Sequence, residues 1–218
     1  MRRYFTILSL IILIAFYSQI TTWASGIIIN DYKGGLSPKW EEKSFKGKTS
    51  YQVTREENRH CIKAISNSSA SGLYYKVDFD IKDYPILSWQ WKIDNIITKG
   101  NAKKKEGDDY AARVYVVFPS IFFWKTKAIN YIWANKLPRG EAVPNPFTVN
   151  AIMIAVESGS ANTKQWREER RNVYEDFRKF FGHDPPRVGA IAIMTDTDNT
   201  GEQATAWYGP IRIISATD

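Results

Sequence analysis

The sequence predicts a mainly β fold: an antiparallel β-sandwich of jelly-roll type, with one amphipathic helix inserted near residues 164–181. Three observations predict it. Short β-prone runs recur along the chain with Gly, Pro and Asn turn signals between them. Two of these runs alternate in polarity residue by residue, the period of a strand with one buried face. One stretch instead spaces its apolar residues as a helix face does.

Taken in order, residues 51–54 and 61–65 are short β-prone runs, and residues 72–77 follow a small polar turn at 67–71. Residues 86–93 put Leu87, Trp89, Trp91 and Ile93 on one face, which is expected to be core. Residues 110–118 put Ala112, Val114, Val116 and Phe118 on one face and Ala111, Arg113, Tyr115 and Val117 on the other. Residues 151–156 and 188–194 are apolar enough to be central strands, and residues 207–214 close the chain. Between two of these strands, Trp166, Val173, Phe177 and Phe180 share one helical face. Thr163 is placed to cap its start, and Gly182 ahead of Pro185-Pro186 to stop it. Residues 95–107, polar and Lys-rich, are expected to be a mobile loop, and residues 138–146 a second long loop.

The N-terminus sets the expected compartment. Arg2 and Arg3 precede an apolar run over residues 5–16, and Thr22-Trp23-Ala24 supplies small residues around a cut after Ala24. This is the layout of a signal peptide over residues 1–24, which leaves residues 25–218 as one domain, periplasmic or secreted. The alternative is an N-terminal anchor, since the run to Ala24 is almost long enough to span a bilayer; the break at Tyr17-Ser18-Gln19 favours cleavage. Nothing later resembles a transmembrane helix.

The formal net charge is +7, but it is scattered, and Lys103-Lys104-Lys105 runs straight into Glu106, Asp108 and Asp109. That pattern argues against a nucleic-acid partner. Cys61 is the one cysteine; it cannot form an internal disulfide, and its apolar surroundings suggest a buried, inert thiol. His60 and His183 stand far apart in sequence, which argues against zinc chemistry and a Ser-His-Asp site.

Three features offer chemistry. In Met194-Thr195-Asp196-Thr197-Asp198-Asn199-Thr200-Gly201, oxygens from Asp196, Asp198 and Thr200 fall at alternate positions before a Gly, as in the first half of an EF-hand loop. The second half fails, because Trp207 stands where the bidentate acid belongs. The segment is therefore either a calcium loop on a β scaffold, completed by a distant acid, or a tight turn whose side chains bond their own backbone. In Gly107-Asp108-Asp109-Tyr110-Ala111-Ala112-Arg113, Asp109 and Arg113 point to one strand face with Tyr115 next along it. Such a pair can be a structural ion pair, can hold a sugar hydroxyl, or can join Asp196 as a hydrolase acid and nucleophile. The chain also has eight Trp, twelve Tyr and eleven Phe. Trp124, Tyr131, Trp133 and Trp207 sit near loops or strand ends, where they either stack on sugar faces or pack the core. The expected ligand-binding set is Asp109, Arg113, Tyr115, Trp133 and Trp207; the expected metal set is Asp196, Asp198 and Thr200, with calcium as the ion.

The segments Leu87-Ser88-Trp89-Gln90-Trp91-Lys92, Gly107 to Tyr115, Tyr131-Ile132-Trp133-Ala134, Glu169-Arg170-Arg171-Asn172-Val173, Phe181-Gly182 and Met194 to Gly201 together resemble the bacterial exported domain of unknown function numbered 3047. The resemblance runs from about Lys39 to Ile214 and implies domain limits and export, but no activity. Three functions are carried forward. The first is a non-catalytic module that binds a glycan or envelope polymer, with calcium as a stabiliser. The second is a polysaccharide-acting enzyme using paired carboxylates. The third is a structural or partner-binding envelope protein.

Overall fold

The computed structural model describes residues 26–215. The signal peptide expected over residues 1–24 lies outside them. The strands are β1 (Gly26–Asn30), β2 (Trp40–Lys46), β3 (Ser50–Glu56), β4 (Arg59–Asn67), β5 (Ala70–Phe79), β6 (Ile86–Ile93), β7 (Arg113–Phe118), β8 (Lys127–Ala134), β9 (Ala142–Asn145), β10 (Thr148–Ser158), β11 (Arg167–Asn172), β12 (Val188–Asp196) and β13 (Gln203–Ile214), with the helix α1 (Val173–Phe181) between β11 and β12. They form two sheets. One is ordered β11-β6-β13-β4-β3, with β1 also on β13; the other is ordered β2-β5-β12-β7-β8-β10-β9. The sandwich expected from the alternating runs is the fold observed.

The inner faces are those that the alternation marks. Leu87, Trp89, Trp91 and Ile93 are buried from one sheet, and Val114, Val116 and Phe118 from the other. Indole and phenol rings carry the contact between the sheets: Trp89 stacks on Tyr131 with centroids 5.1 Å apart, and Trp91 lies 5.8 Å from Trp133. Cys61 is buried, as expected, and burial pushes its thiol up to about 11, which leaves it protonated at neutral pH. The sheet edges are blunted. The edge strand β2 exposes Glu41, Glu42, Lys43 and Lys46, and the opposite edge β9 is four residues long and contains Pro144.

The strand β13 is shared along its length. Residues Gln203 to Tyr208 pair with β4, while Ile211 to Ile214 pair with β1, and β6 lines the other side. The register shifts between Tyr208 and Ile211. Pro210, which has no N–H to give, sits in that irregularity, where the ladder tolerates it.

Three details differ from the sequence expectation. The pair β8 and β10 is parallel, because the chain leaves β8 and returns through the β9 hairpin before rejoining from the same side. The helix is shorter than residues 164–181: its first part is strand β11, from Arg167, which lies antiparallel on the open edge of β6. Backbone groups of β6 that would otherwise lack partners outweigh the helical preference of Arg167-Glu168-Glu169-Arg170. The cap is accordingly Asn172, whose side chain accepts the Glu175 N–H at 3.1 Å, and not Thr163, which closes a turn onto Ser160. The C-terminal stop is Gly182, as expected, in the left-handed region with φ 74°. Val173 and Phe177 are buried, and Phe177 packs 4.5 Å from Phe118, so the helix closes one end of the sandwich. Finally, the loop over residues 95–107 is pinned: the Glu202 carboxylate accepts the Thr98 and Lys99 N–H groups at 3.0 and 2.7 Å.

Strands β10 and β11 bring acids together where the two sheets meet. Glu169 accepts the Trp91 indole N–H at 3.3 Å, and buried Glu157 lies 3.6 Å from Arg139 and 3.5 Å from Arg167. Burial, reinforced by the Glu157 charge, pushes the Glu169 carboxyl from an ordinary 4.5 up to about 7. The folded state therefore holds a proton that the unfolded state has lost between these values, so stability falls as pH rises from about 4.5 through about 7. Glu169→Gln keeps an acceptor for Trp91 and is expected to flatten that fall, read as urea midpoints across the window.

Candidate functional site

The segments Asp108 to Arg113 and Asp196 to Gly201 meet. Tyr110 and Asp196 extend the pairing of β7 with β12: the Tyr110 carbonyl accepts the Asp196 N–H at 3.2 Å, and the Asp196 carboxylate accepts the Tyr110 N–H at 3.3 Å. Asp109 faces the turn that follows β12. Its two carboxylate oxygens accept the Asn199 and Thr200 N–H groups at 3.2 and 2.6 Å, and Gly201, at φ 70°, closes the turn onto Thr197. The turn is thus held chiefly by an acid from the loop before β7, with the Thr200 hydroxyl accepting the Glu202 N–H at 3.4 Å.

Arg113 reaches from β7 across to β12, where its guanidinium donates to the Asp196 carboxylate and approaches the Met194 sulfur at 3.6 Å. It is 6% exposed and lies 5.0 Å from the Tyr110 ring centroid and 5.5 Å from that of Tyr115. Burial works against its charge, but Asp196, Tyr115 and Asp108 outweigh burial and keep it protonated. Burial pushes the Asp196 carboxyl well above the usual range against the pull of Arg113, and Asp109 and Asp108 add to the push. Asp108 and Asp198 are raised as well, in both cases chiefly by burial.

These groups form one wall of a pocket of about 500 Å³ on the outer face of the seven-stranded sheet. Tyr74 of β5, Met194 and Asp196 of β12, Arg113 and Tyr115 of β7, and Asn130 of β8 make its floor. Asp108, held by the Tyr110 hydroxyl at 3.1 Å and the Asn145 amide at 2.7 Å, lines one side. Phe45 and Phe147 also line it, 55% and 56% exposed, one from the edge strand β2 and the other from the turn between β9 and β10. Two buried polar atoms among the floor residues have no hydrogen-bond partner: the Arg113 Nε donor and the Asn130 Oδ1 acceptor.

Of the expected ligand-binding residues, Arg113 and Tyr115 line this pocket, and Asp109 stands behind it as the cap of the turn. Trp133 and Trp207 do not join them. Trp133 is buried between the sheets, with its indole N–H on the Gly159 carbonyl at 3.0 Å. Trp207 lies on the outer face of the other sheet but is buried there, beneath the ammonium groups of Lys92 at 4.6 Å and Lys63 at 5.6 Å. Of the expected metal residues, Asp196 and Asp198 join Asp109 in a set of carboxylates whose oxygens lie within 4.8 Å of one another, which could hold a metal ion. Thr200 contributes its backbone to Asp109 and turns its hydroxyl to the Glu202 N–H. Phe45, Phe147, Asn130 and Asn145 were not marked by the sequence. Each is distant in sequence from the acidic segments, and only the sheet order brings it near.

A family model described as Protein of unknown function (DUF3047) matches residues 38–212. The chain belongs to this family. The match agrees with the resemblance carried by the Trp89-Gln90-Trp91, Asp108-Asp109-Tyr110 and Asp196-Thr197-Asp198 segments. No curated protein matches the DUF3047 chain. Among solved structures, it is similar to a family 30 carbohydrate-binding module of a cellulosomal cellulase of Clostridium thermocellum, with TM-score 0.52 and 10% identity over 88% of this chain and 99% of that one. It is also similar to a family 11 carbohydrate-binding module from Clostridium thermocellum in complex with a β-1,3-1,4-mixed-linked tetrasaccharide, with TM-score 0.46 and 14% identity over 88% and 96%. A third is TmCBM61 in complex with β-1,4-galactotriose, with TM-score 0.43 and 7% identity over 85% and 94%. At these identities the likeness is one of fold, the β-sandwich.

Arg113→Leu leaves the buried Asp196 carboxylate without its cation, and is expected to lower stability by about 3–5 kcal/mol at neutral pH. The deficit should shrink as pH falls, because protonation removes the stranded charge. Urea denaturation of both proteins at neutral and mildly acidic pH checks both statements.

Proposed function

We propose that this protein is an exported, non-catalytic carbohydrate-binding module, and that the pocket over β5, β12, β7 and β8 takes a glycan or an envelope polymer. One observation carries the reading: a buried donor and a buried acceptor, Arg113 Nε and Asn130 Oδ1, stand without partners in a pocket also lined by the exposed rings of Phe45 and Phe147. Sugar hydroxyls both donate and accept, so one hydroxyl-bearing ring can satisfy two opposite orphan groups. The apolar C–H face of a sugar suits an exposed aromatic ring. The fold shared with the family 30 module supports the reading at the level of architecture. Export is supported by the basic, apolar and small-residue order of residues 1–24.

Phe45→Ala and Phe147→Ala remove surface rings, so each is expected to leave the melting point unchanged while weakening glycan binding about tenfold, or about 1.4 kcal/mol. Affinity electrophoresis in soluble plant and bacterial polysaccharides, followed by calorimetry on any hit, checks this. Retardation by no polysaccharide would favour the structural or partner-binding alternative, and release of reducing ends would make the protein an enzyme.

Calcium is the finer reading of the carboxylate set. In its support, the donors are all oxygen and the Asp198 carboxylate accepts no hydrogen bond from another described residue. Against it, Asp196 already has the Arg113 guanidinium as its cation, and Asp109 is taken by backbone. If the reading holds, millimolar calcium raises the melting point, chelator reverses the rise and Asp198→Asn abolishes it. An unchanged melting point in calcium removes the metal from the account.

A further inference from the structure

We propose that the turn joining β7 to β8 is a membrane-docking tip, which seats in the headgroup layer of a phospholipid bilayer. This goes beyond the glycan-binding reading and uses none of its residues. Ile121, Phe122, Phe123 and Trp124 are 100%, 50%, 80% and 60% exposed, four large apolar side chains in a row at the tip of a hairpin. A soluble surface scatters such residues singly, and a contiguous group marks an interaction site. The tip is also ordered. The Phe122 and Phe123 carbonyls accept the Lys125 and Thr126 N–H groups at 2.8 and 3.1 Å, and Thr126 Oγ1 accepts the Ser120 N–H at 3.3 Å. The Asn150 amide holds the Trp124 carbonyl at 2.8 Å, and Trp124 packs on both Phe122 and Phe123 at 5.2 and 5.1 Å. The rings are presented outward by a built turn and do not fold back onto the sandwich.

Two further observations favour a bilayer over another occupant. Lys125 follows the tip directly and Lys127 comes two residues later, and no acid occurs between Asp109 and Glu141. Apolar rings ending in Trp, with Lys alongside, are the composition of an interfacial anchor. The chain also enters the fold at this end. Gly26 pairs with Ile214, Ile214 with Ile86 and Ile86 with Asn172, where α1 begins, and α1 packs on Phe118 at the base of the tip. Were residues 5–16 kept as an N-terminal anchor, the alternative to cleavage, that segment would present this end to the bilayer; after cleavage the tip alone does so. Asp80, Asp83 and Glu175 belong to the loop and helix of the same end, so insertion of the rings, more than charge, carries the binding.

The test uses the protein as the cell processes it, with its N-terminus read by mass spectrometry. Vesicles of mixed phosphatidylglycerol and phosphatidylethanolamine carry brominated acyl chains, which quench indoles that reach them. Wild type should be quenched, and Trp124→Phe, which keeps the apolar tip, should lose most of that quenching. Phe123→Ser with Trp124→Ser should lower vesicle partitioning on the order of a hundredfold with the melting point unchanged. Lys125→Glu should lower it about tenfold on these vesicles and little on neutral phosphatidylcholine. Equal quenching of wild type and Trp124→Phe would overturn the proposal. So would a wild-type dimer in light scattering that the double variant reduces to monomer, since the tip would then seat against a second copy.

Discussion

The buried pair of Arg113 and Asp196 is the constraint around which the rest is arranged. It joins the first residue of β7 to the last of β12, two central strands of the larger sheet, at the point where their ladder ends. A charged pair out of water is tolerable only when its remaining polar atoms find partners, and the surroundings bear this out. Tyr110 gives its N–H to the carboxylate, and Tyr110 and Tyr115 flank the guanidinium. Asp109, next to Tyr110 in the chain, is thereby directed at the turn after β12 and holds it. A slip of one residue between β7 and β12 would break each of these contacts at once, so the pair fixes register as well as charge. What the pair leaves unpartnered is the guanidinium Nε, buried in a residue that lines the pocket.

The two surfaces with distinct chemistry follow from one sandwich. The outer face of the larger sheet is concave enough to hold a pocket because β2 and the β9 hairpin bring Phe45 and Phe147 to its two sides. The end of the sandwich closed by α1 carries the exposed tip of the β7–β8 turn. Both surfaces share strand β7: Arg113 begins it beside the pocket, and Phe118 ends it beneath the tip.

Much of this was legible in the alternation of single residues. The inner faces of β6 and β7 follow from parity, since Leu87, Trp89, Trp91 and Ile93 had one side of a strand to share. For the aromatics, parity separates what the ligand-binding expectation joined: Ala206 and Tyr208 pack in the core between the sheets, which leaves Trp207 buried on the outer face, and Trp133 follows Ile129 and Tyr131 into the core. Counting aromatic rings could not make that distinction. The segment Arg167–Asn172 was not legible, because its Arg and Glu residues favour helix and the deciding partner, the open edge of β6, lies far away in sequence. The parallel pairing of β8 with β10 is likewise a property of the chain path. In the site, the two acidic segments announced themselves. Asn130 and Phe147 did not, since an ordinary Asn in a strand and a Phe beside a Pro acquire meaning only from their neighbours across the sheet.

The position of β13 bears on how the chain reaches this fold. It is the last of the described strands in chain order, yet it is central: β6 lies along one side, and β4 and β1 share the other. Until residues 203–214 are available, β6 lacks the neighbour that joins it to β4, and β1, the first of the described strands, has nothing to pair with. The smaller sheet thus closes only when this segment joins it, and its closure brings together residues as far apart as Gly26 and Ile214, a slow kind of contact to form. A chain that lacks residues 203–214 is therefore left with two unjoined pairs, β6 with β11 and β3 with β4, and with β1 unpaired, so this one segment turns three fragments into a sheet.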